Sequence, residues 1–202
     1  MTEWREAVWA AVPVGAVPER FEERRDWLLG FVTPGDRVLD LGCGDGSFTE
    51  ALIAAGAQVT MGDVAEGALD RSRAKAPGAE AVLLEEDAPL PFPDGSFDLV
   101  WCGETLEHVA DVVGLAAEAR RVLREDGTLL VTVPNQPRLR VALESLAGRP
   151  LEERLDPRSD HLRFFTARTL DALLAAAGFG SVEVGPQGGL PGFRPSLRAV
   201  AR

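Results

Sequence analysis

The chain at positions 38–49 reads Val38-Leu39-Asp40-Leu41-Gly42-Cys43-Gly44-Asp45-Gly46-Ser47-Phe48-Thr49. Val38, Leu39 and Leu41 make a short apolar run of the kind a strand buried on both faces carries. It breaks into Gly42, Gly44 and Gly46, which accept positive φ and leave bare backbone for a ligand to approach. Ser47 then reads as a helix N-cap, with Glu50 three positions on as its capping-box partner. A strand, a glycine turn and a helix in this order form the first βα unit of an open α/β sheet, where such folds hold nucleotide-like ligands.

Charge narrows the ligand. A pyrophosphate site wants G-x-G-x-x-G and no neighbouring anion. Here the third glycine is displaced, Asp40 ends the strand, and Asp45 sits inside the turn. Two carboxylates repel a diphosphate and suit a ligand carrying an ammonium and a sulfonium, such as S-adenosylmethionine. On the turn alone, an ordinary dinucleotide site stays open as the alternative, because glycine turns in α/β folds have many uses.

Working outward, Gln58-Val59-Thr60-Met61-Gly62-Asp63 reads as a second strand ending in an acid. An acid about twenty residues beyond the glycine turn is where doubly wound folds grip ribose hydroxyls. The alternative for Asp63 is the N-cap of a helix starting near Ala65. Ala81-Val82-Leu83-Leu84 is the third strand, followed by Glu85, Glu86, Asp87 and Ala88. Pro93-Asp94-Gly95 is a turn feeding a fourth strand, Phe97-Asp98-Leu99-Val100-Trp101-Cys102. Helix 111–123 is ended by Gly127, and Thr128–Pro134 is the fifth strand. Upstream, Trp4, Val8, Ala11 and Val12, then Phe21, Trp27, Leu28 and Phe31, recur at helical spacing, broken around Pro13, Gly15 and Pro18. Trp4 and Trp9 are placed to face a ligand if this arm covers the cleft. Downstream, Thr166 or Thr169 caps a helix over 168–177, and residues 181–184 and 197–201 pair as an antiparallel hairpin.

The chain has 202 residues, 46% hydrophobic and 26% charged, which fits one folded domain rather than a disordered segment. Its net charge of −11, with Lys75 as the sole lysine, argues against a phosphate-backbone partner. Cys43 and Cys102 are the two cysteines and form no C-x-x-C, so no structural metal is expected. The start is charged and amphipathic, without a secretory or membrane-spanning pattern, which leads to an expectation of a cytoplasmic protein, monomer or homodimer. There is no tyrosine to serve as a general base.

The 38–49 stretch resembles motif I of the class I S-adenosylmethionine-dependent methyltransferases. From there to Pro134 the chain is similar to their small-molecule branch, methyltransferase type 11, typified by the ubiquinone-biosynthesis enzymes. Leu90-Pro91-Phe92-Pro93-Asp94-Gly95-Ser96-Phe97-Asp98 and Gly103-Glu104-Thr105-Leu106-Glu107-His108-Val109 carry the resemblance furthest. It implies an α/β, Rossmann-like, doubly wound seven-stranded sheet of order 3-2-1-4-5-7-6 with strand 7 antiparallel. The implied layout is one methyltransferase domain over 1–202: a helical arm at 1–32, a cofactor-binding core at 36–135, a substrate cap at 135–166, and a closing helix and hairpin at 167–202.

The implied cofactor is S-adenosyl-L-methionine, held by Asp40, Gly42, Cys43, Gly44, Asp63, Val64, Asp87, Ala88, Cys102 and Glu104. Asp87 matches the acid that takes the adenine amino group, with Glu86 as the neighbouring choice. His108 is the candidate base for a small hydroxyl or amine acceptor, against a role of ordering its loop through a backbone hydrogen bond. His161, in Asp160-His161-Leu162-Arg163-Phe164-Phe165-Thr166, is the weaker candidate. Arg163 is placed to hold an acidic substrate or to make a surface ion pair.

The implied reaction is metal-independent O- or N-methylation. Alternatives are a non-catalytic S-adenosylmethionine-binding module, or methylation of protein or nucleic acid. Amino-methylating DNA enzymes carry a proline-proline-aromatic loop where this chain has Cys102-Gly103-Glu104-Thr105. Cys102 matches the nucleophile of the cytosine enzymes, without their adjoining proline.

Overall fold

The computed structural model describes residues 2–147 and 159–202. Seven strands form one sheet: β1 (Arg37–Leu41), β2 (Gln58–Asp63), β3 (Glu80–Leu83), β4 (Phe97–Gly103), β5 (Leu123–Pro134), β6 (Val182–Gln187) and β7 (Ser196–Ala201). Their order is β3-β2-β1-β4-β5-β7-β6. The first five run parallel, and β7 lies antiparallel between β5 and β6. This is the sheet expected from the sequence.

Parity along the strands builds two cores. Leu39 and Leu41 of β1, Val100 and Cys102 of β4, and Leu129 and Val131 of β5 face one side. There they pack under α5 (Val112–Val122) and α7 (Ala167–Ala176). Val38, Leu99, Trp101 and Leu130 face the other side, against Leu28 of α2 (Phe21–Leu29) and Phe48 and Leu52 of α3 (Ser47–Ala54). Helix α4 (Glu66–Lys75) joins β2 to β3. Helix α1 (Thr2–Ala11) packs on α4, and α6 (Arg138–Leu146) follows β5.

Two local expectations are corrected. Ser47 is not the N-cap of α3 but its first residue; Gly46 takes the cap position at φ 81. The first free N–H is met from Asp45, whose Oδ1 accepts from Ser47 N at 3.1 Å. Gly127 does not end α5 either. The helix stops at Val122 because Leu123 enters β5 opposite Phe97, and the register then jumps to Leu99–Thr128 through a bulge. Gly127 lies in that bulge, where a Cβ would sit 2.9 Å from the Leu123 side chain. The capping expectation near residue 167 is met by Thr166, which forms a reciprocal box with Thr169.

Candidate functional site

A cleft of about 620 Å³ opens at the carboxyl ends of β1, β2, β3 and β4. That is ample for a small organic ligand. Gly42, Asp63, Val64, Asp87, Ala88, Glu104 and His108 line it, with Arg5 and Trp9 contributed by α1. Eight of its lining residues are acids and one is an arginine, so the field inside disfavours polyanions.

Asp63 ends β2 and is 7% exposed. Its Oδ2 accepts from Gly44 N at 3.1 Å and its Oδ1 from Ala65 N at 3.0 Å. One carboxylate thus ties the glycine turn to the β2–α4 loop, and each oxygen keeps a lone-pair direction for a ligand hydroxyl. Burial raises the Asp63 pKa, opposed by these backbone N–H groups. Asp63 is not the N-cap of α4, whose cap residue is Ala65. Glu6 of α1 supplies that cap from outside the helix: its Oε1 accepts from Glu66 N at 2.6 Å and its Oε2 from Gly67 N at 3.1 Å. Nothing in the local sequence pointed to Glu6.

At the end of β3 the structure separates Glu86 from Asp87. Glu86 faces Arg5 at 3.7 Å. Asp87 sits at φ 56 and accepts from Asp111 N at 3.2 Å while lining the cleft. Asp87 is therefore the acid presented to a ligand without an ion-pair partner of its own in this pair.

The glycine turn is closed by protein as well as open to a ligand. A Cβ at Gly42 (φ 79) would meet the Thr105 side chain at 2.5 Å, and one at Gly44 (φ 57) would meet the Trp9 ring at 2.8 Å. Trp9 therefore lies against Gly44, which does not itself line the cleft.

Asp40, Cys43 and Cys102 also lie off the lining. Asp40 shares strand parity with Val38 and points toward α3, where Thr49 Oγ1 donates to it at 2.6 Å. Burial pushes its pKa up to about 7. Asp45 is turned to Lys75 and Ser47. The two acids that argued against a pyrophosphate are thus satisfied internally, and Asp63 is the carboxylate that meets the turn. Cys43 lies 3.4 Å from the Ser72 hydroxyl, Cys102 packs in the α5–α7 core, and burial raises both thiol pKa values.

Beyond β4, a 3₁₀ turn at Leu106–His108 meets the segment expected to cap the site. Leu162 N and Arg163 N both donate to Glu107 O, at 2.7 and 3.0 Å. The Glu107 side chain is 1% exposed, and burial with the charge of Glu104 pushes its pKa up to about 9. His108 Nδ1 meets Asp160 O at 2.8 Å, which makes Nδ1 the protonated nitrogen. Its Nε2 lies 3.9 Å from Glu107 Oε1. Burial lowers the His108 pKa, so the imidazole is neutral near pH 7.

His161 packs edge-on to His108 with ring centroids 4.9 Å apart. Among the described residues, Glu107, His108 and His161 are the group whose ligand atoms approach closely enough to share a cation, all within 4.8 Å. Arg163 spends its guanidinium on backbone carbonyls of Leu162 and Ala110. The suggestion that Trp4 faces a ligand concerns a side chain outside those described.

The geometry can be set against known proteins. A methyltransferase domain family matches residues 39–131. The ubiquinone biosynthesis O-methyltransferase of Xanthomonas campestris pv. campestris (strain B100) is 36% identical over 68% of this chain, which spans 59% of that relative. The enzyme of the same name from Aromatoleum aromaticum is 31% identical, with 80% of this chain and 71% of the relative covered. In fold, the PH0226 protein of Pyrococcus horikoshii OT3 superposes at a TM-score of 0.75 with 21% identity, covering 100% of this chain and 98% of its own. A SAM-dependent methyltransferase from Archaeoglobus fulgidus gives 0.71 with 16% identity, over 93% and 95%. With this sheet order, this turn and these relatives, the chain belongs to the class I S-adenosylmethionine-dependent methyltransferases.

Proposed function

We propose that this protein transfers a methyl group from S-adenosyl-L-methionine to the oxygen or nitrogen of a small acceptor, without a resident metal. The observation that carries this reading is the pair of carboxylates at adjacent strand ends. Asp63 is bound to the glycine turn and Asp87 lies at the end of β3, both on one cleft. They fit a nucleoside: a carboxylate at each end of an adenosine, one for ribose hydroxyls and one for the adenine amino group. Gly42, Val64 and Ala88 supply the close walls between them. S-adenosylmethionine supplies a methyl already activated by its sulfonium, so the chain's task is to align the acceptor with it.

A small acceptor is supported by the enclosed volume and by the acidic lining, which opposes nucleic acid. Among the described residues no helix is long and apolar enough to cross a membrane. Relatives named for ubiquinone and demethylmenaquinone methylation point the same way. His108 Nδ1 is held by Asp160 O at 2.8 Å, while Nε2 stands 3.9 Å from Glu107 Oε1, beyond hydrogen-bond distance. His108 thus joins the β4 turn to Asp160, with His161 packed against it, and its Nε2 is the candidate base for the acceptor proton.

The test is transfer of labelled methyl from S-adenosylmethionine to a panel of phenols, amines and small acids, with DNA, RNA and protein as parallel acceptors. Label in a small molecule supports the reading. Label confined to the macromolecules, or binding without transfer to any of them, contradicts it.

A further inference from the structure

None of the residues of α6 is buried. Its leucines nevertheless keep helical period: Leu139, Leu143 and Leu146 recur at i, i+4 and i+7, one stripe along one face. The stripe points away from the protein. Val141 and Glu144, on the other side of the helix, are the half-buried positions, while Leu146 is 85% exposed and Leu139 and Leu143 are 49% and 47% exposed. Arg138 and Arg140 lie to either side of the stripe, roughly 100° around the helix from its centre. Arg140 also pairs with Glu144 at 2.7 Å. A single exposed leucine is ordinary, but an apolar stripe bordered by arginines is the pattern of a helix that lies in an interface.

The apolar face continues on two neighbouring segments. The turn before β7 carries Leu190, 74% exposed, and the part-exposed Phe193. A Cβ at Gly192 would meet Leu139 Cδ2 at 3.1 Å, so this turn sits against the start of α6. Gln136 N donates to Phe165 O at 3.0 Å, which sets the exposed Phe164 close to the same helix start. Asn135 ties the three segments together. Its N–H donates to Pro195 O at 2.6 Å, its side-chain amide to Arg194 O at 2.9 Å, and its backbone bridges to Phe165. All of this lies just beyond β5, at the carboxyl edge of the parallel strands where the cleft opens.

Charge selects what covers this face. Residues 135–202 hold ten arginines and seven acids, a net of +3, whereas residues 1–134 hold eleven basic residues and 25 acids, a net of −14. The exposed apolar side chains thus stand in the positive part of a negative molecule. A second copy of the chain would bring the same positive excess against it. An anionic lipid face answers both features: the leucines and phenylalanines enter below the headgroups, and the arginines beside them meet lipid phosphates. The acidic remainder of the chain is repelled and turns outward.

We propose that α6, with the Leu190–Phe193 turn and Phe164, docks this protein reversibly on an anionic lipid surface. The helix lies in the plane of the interface, and nothing crosses the bilayer. The docking does not depend on the methyl-transfer reading, but it places the cleft's edge of the sheet at the lipid.

Sedimentation of the full chain with vesicles tests this. Two compositions are compared: phosphatidylcholine alone, and phosphatidylcholine with phosphatidylglycerol in equal parts. Binding to the anionic vesicles is expected to be at least about tenfold tighter, and raising salt from about 0.05 M to about 0.5 M should remove most of that difference. The double variant Leu143→Ser, Leu146→Ser should bind the anionic vesicles at least about tenfold more weakly. Its unfolding midpoint should not change, because both side chains are exposed. The double variant Arg138→Gln, Arg140→Gln should lose the preference for anionic lipid.

A wild type that ignores the anionic vesicles overturns the proposal. So does vesicle binding that survives the loss of Leu143 and Leu146 in a folded protein. A dimer in analytical ultracentrifugation that those two substitutions dissolve, without vesicle binding, assigns the face to a second copy and overturns it too. Should the leucine variant fail to fold, Leu190→Ser on the separate turn decides. A fall in vesicle binding of about threefold or more supports the docking, and unchanged binding contradicts it.

Discussion

Asp63 carries two structural bonds and, in the proposed function, a third to ribose. Asp63→Ala is expected to weaken S-adenosylhomocysteine binding by about 1.5–3 kcal/mol, the scale of hydrogen bonds to a charged group. Calorimetry showing unchanged affinity would remove the ribose assignment. Glu107 makes a stability statement. Its folded pKa of about 9 lies above the ordinary carboxylate range, so the proton it holds in the folded state must leave a buried site as pH rises. That contribution is fully present below about pH 4.5 and is lost progressively up to about pH 9. Glu107→Gln is expected to gain on the wild type by about 1 kcal/mol or more between pH 5 and pH 9 in urea unfolding. A difference that stays flat with pH would contradict the buried, protonated acid. Asp63 was picked out as the acid that ends the second apolar run and Asp87 through the family resemblance, and both line the cleft. Asp40 lies off the cleft lining, bonded to Thr49; sequence parity puts it with Val38 but does not say which face carries the cleft. The Arg24 Nε–Thr132 Oγ1 hydrogen bond joins residues 108 positions apart, and no local pattern records it.

At the scale of elements, α1 is fastened over the cleft by polar contacts. Glu6 caps α4, Arg5 donates to His108 O, and Arg71 donates to Trp9 O at 2.8 Å and Val12 O at 2.9 Å. Glu6→Ala leaves two N–H groups at the start of α4 unmet and removes a negative charge from its positive end, a loss of about 1 kcal/mol. Amide exchange in α1 should then speed up relative to the sheet; unchanged exchange would show that the arm is held by its apolar side alone. Gly44→Ala should displace Trp9, since a Cβ there meets the ring at 2.8 Å at a φ of 57. The expected readouts are a change in tryptophan fluorescence and weaker nucleoside binding, and a silent variant would contradict the packing. Helix and strand identities were legible from period and turn residues. What misled was chemistry at the ends. Gly46 and Asp45 do the work assigned to Ser47, and strand pairing with Phe97 ends α5 five residues before Gly127.

For the whole molecule, the order β3-β2-β1-β4-β5-β7-β6 places four parallel strand ends around one acidic cleft. That order was what the family resemblance implied. The acceptor did not follow, because residues far apart in sequence meet beyond β4, as Glu107 O does with Leu162 N and Arg163 N. The central claim is that this cleft is built for S-adenosylmethionine. The most direct measurement is calorimetric titration of the folded chain with S-adenosylhomocysteine. One site of micromolar or tighter affinity, about −8 kcal/mol or better, is the expected result. A folded chain that takes up no S-adenosylhomocysteine, while binding NADH at the same turn, would contradict it.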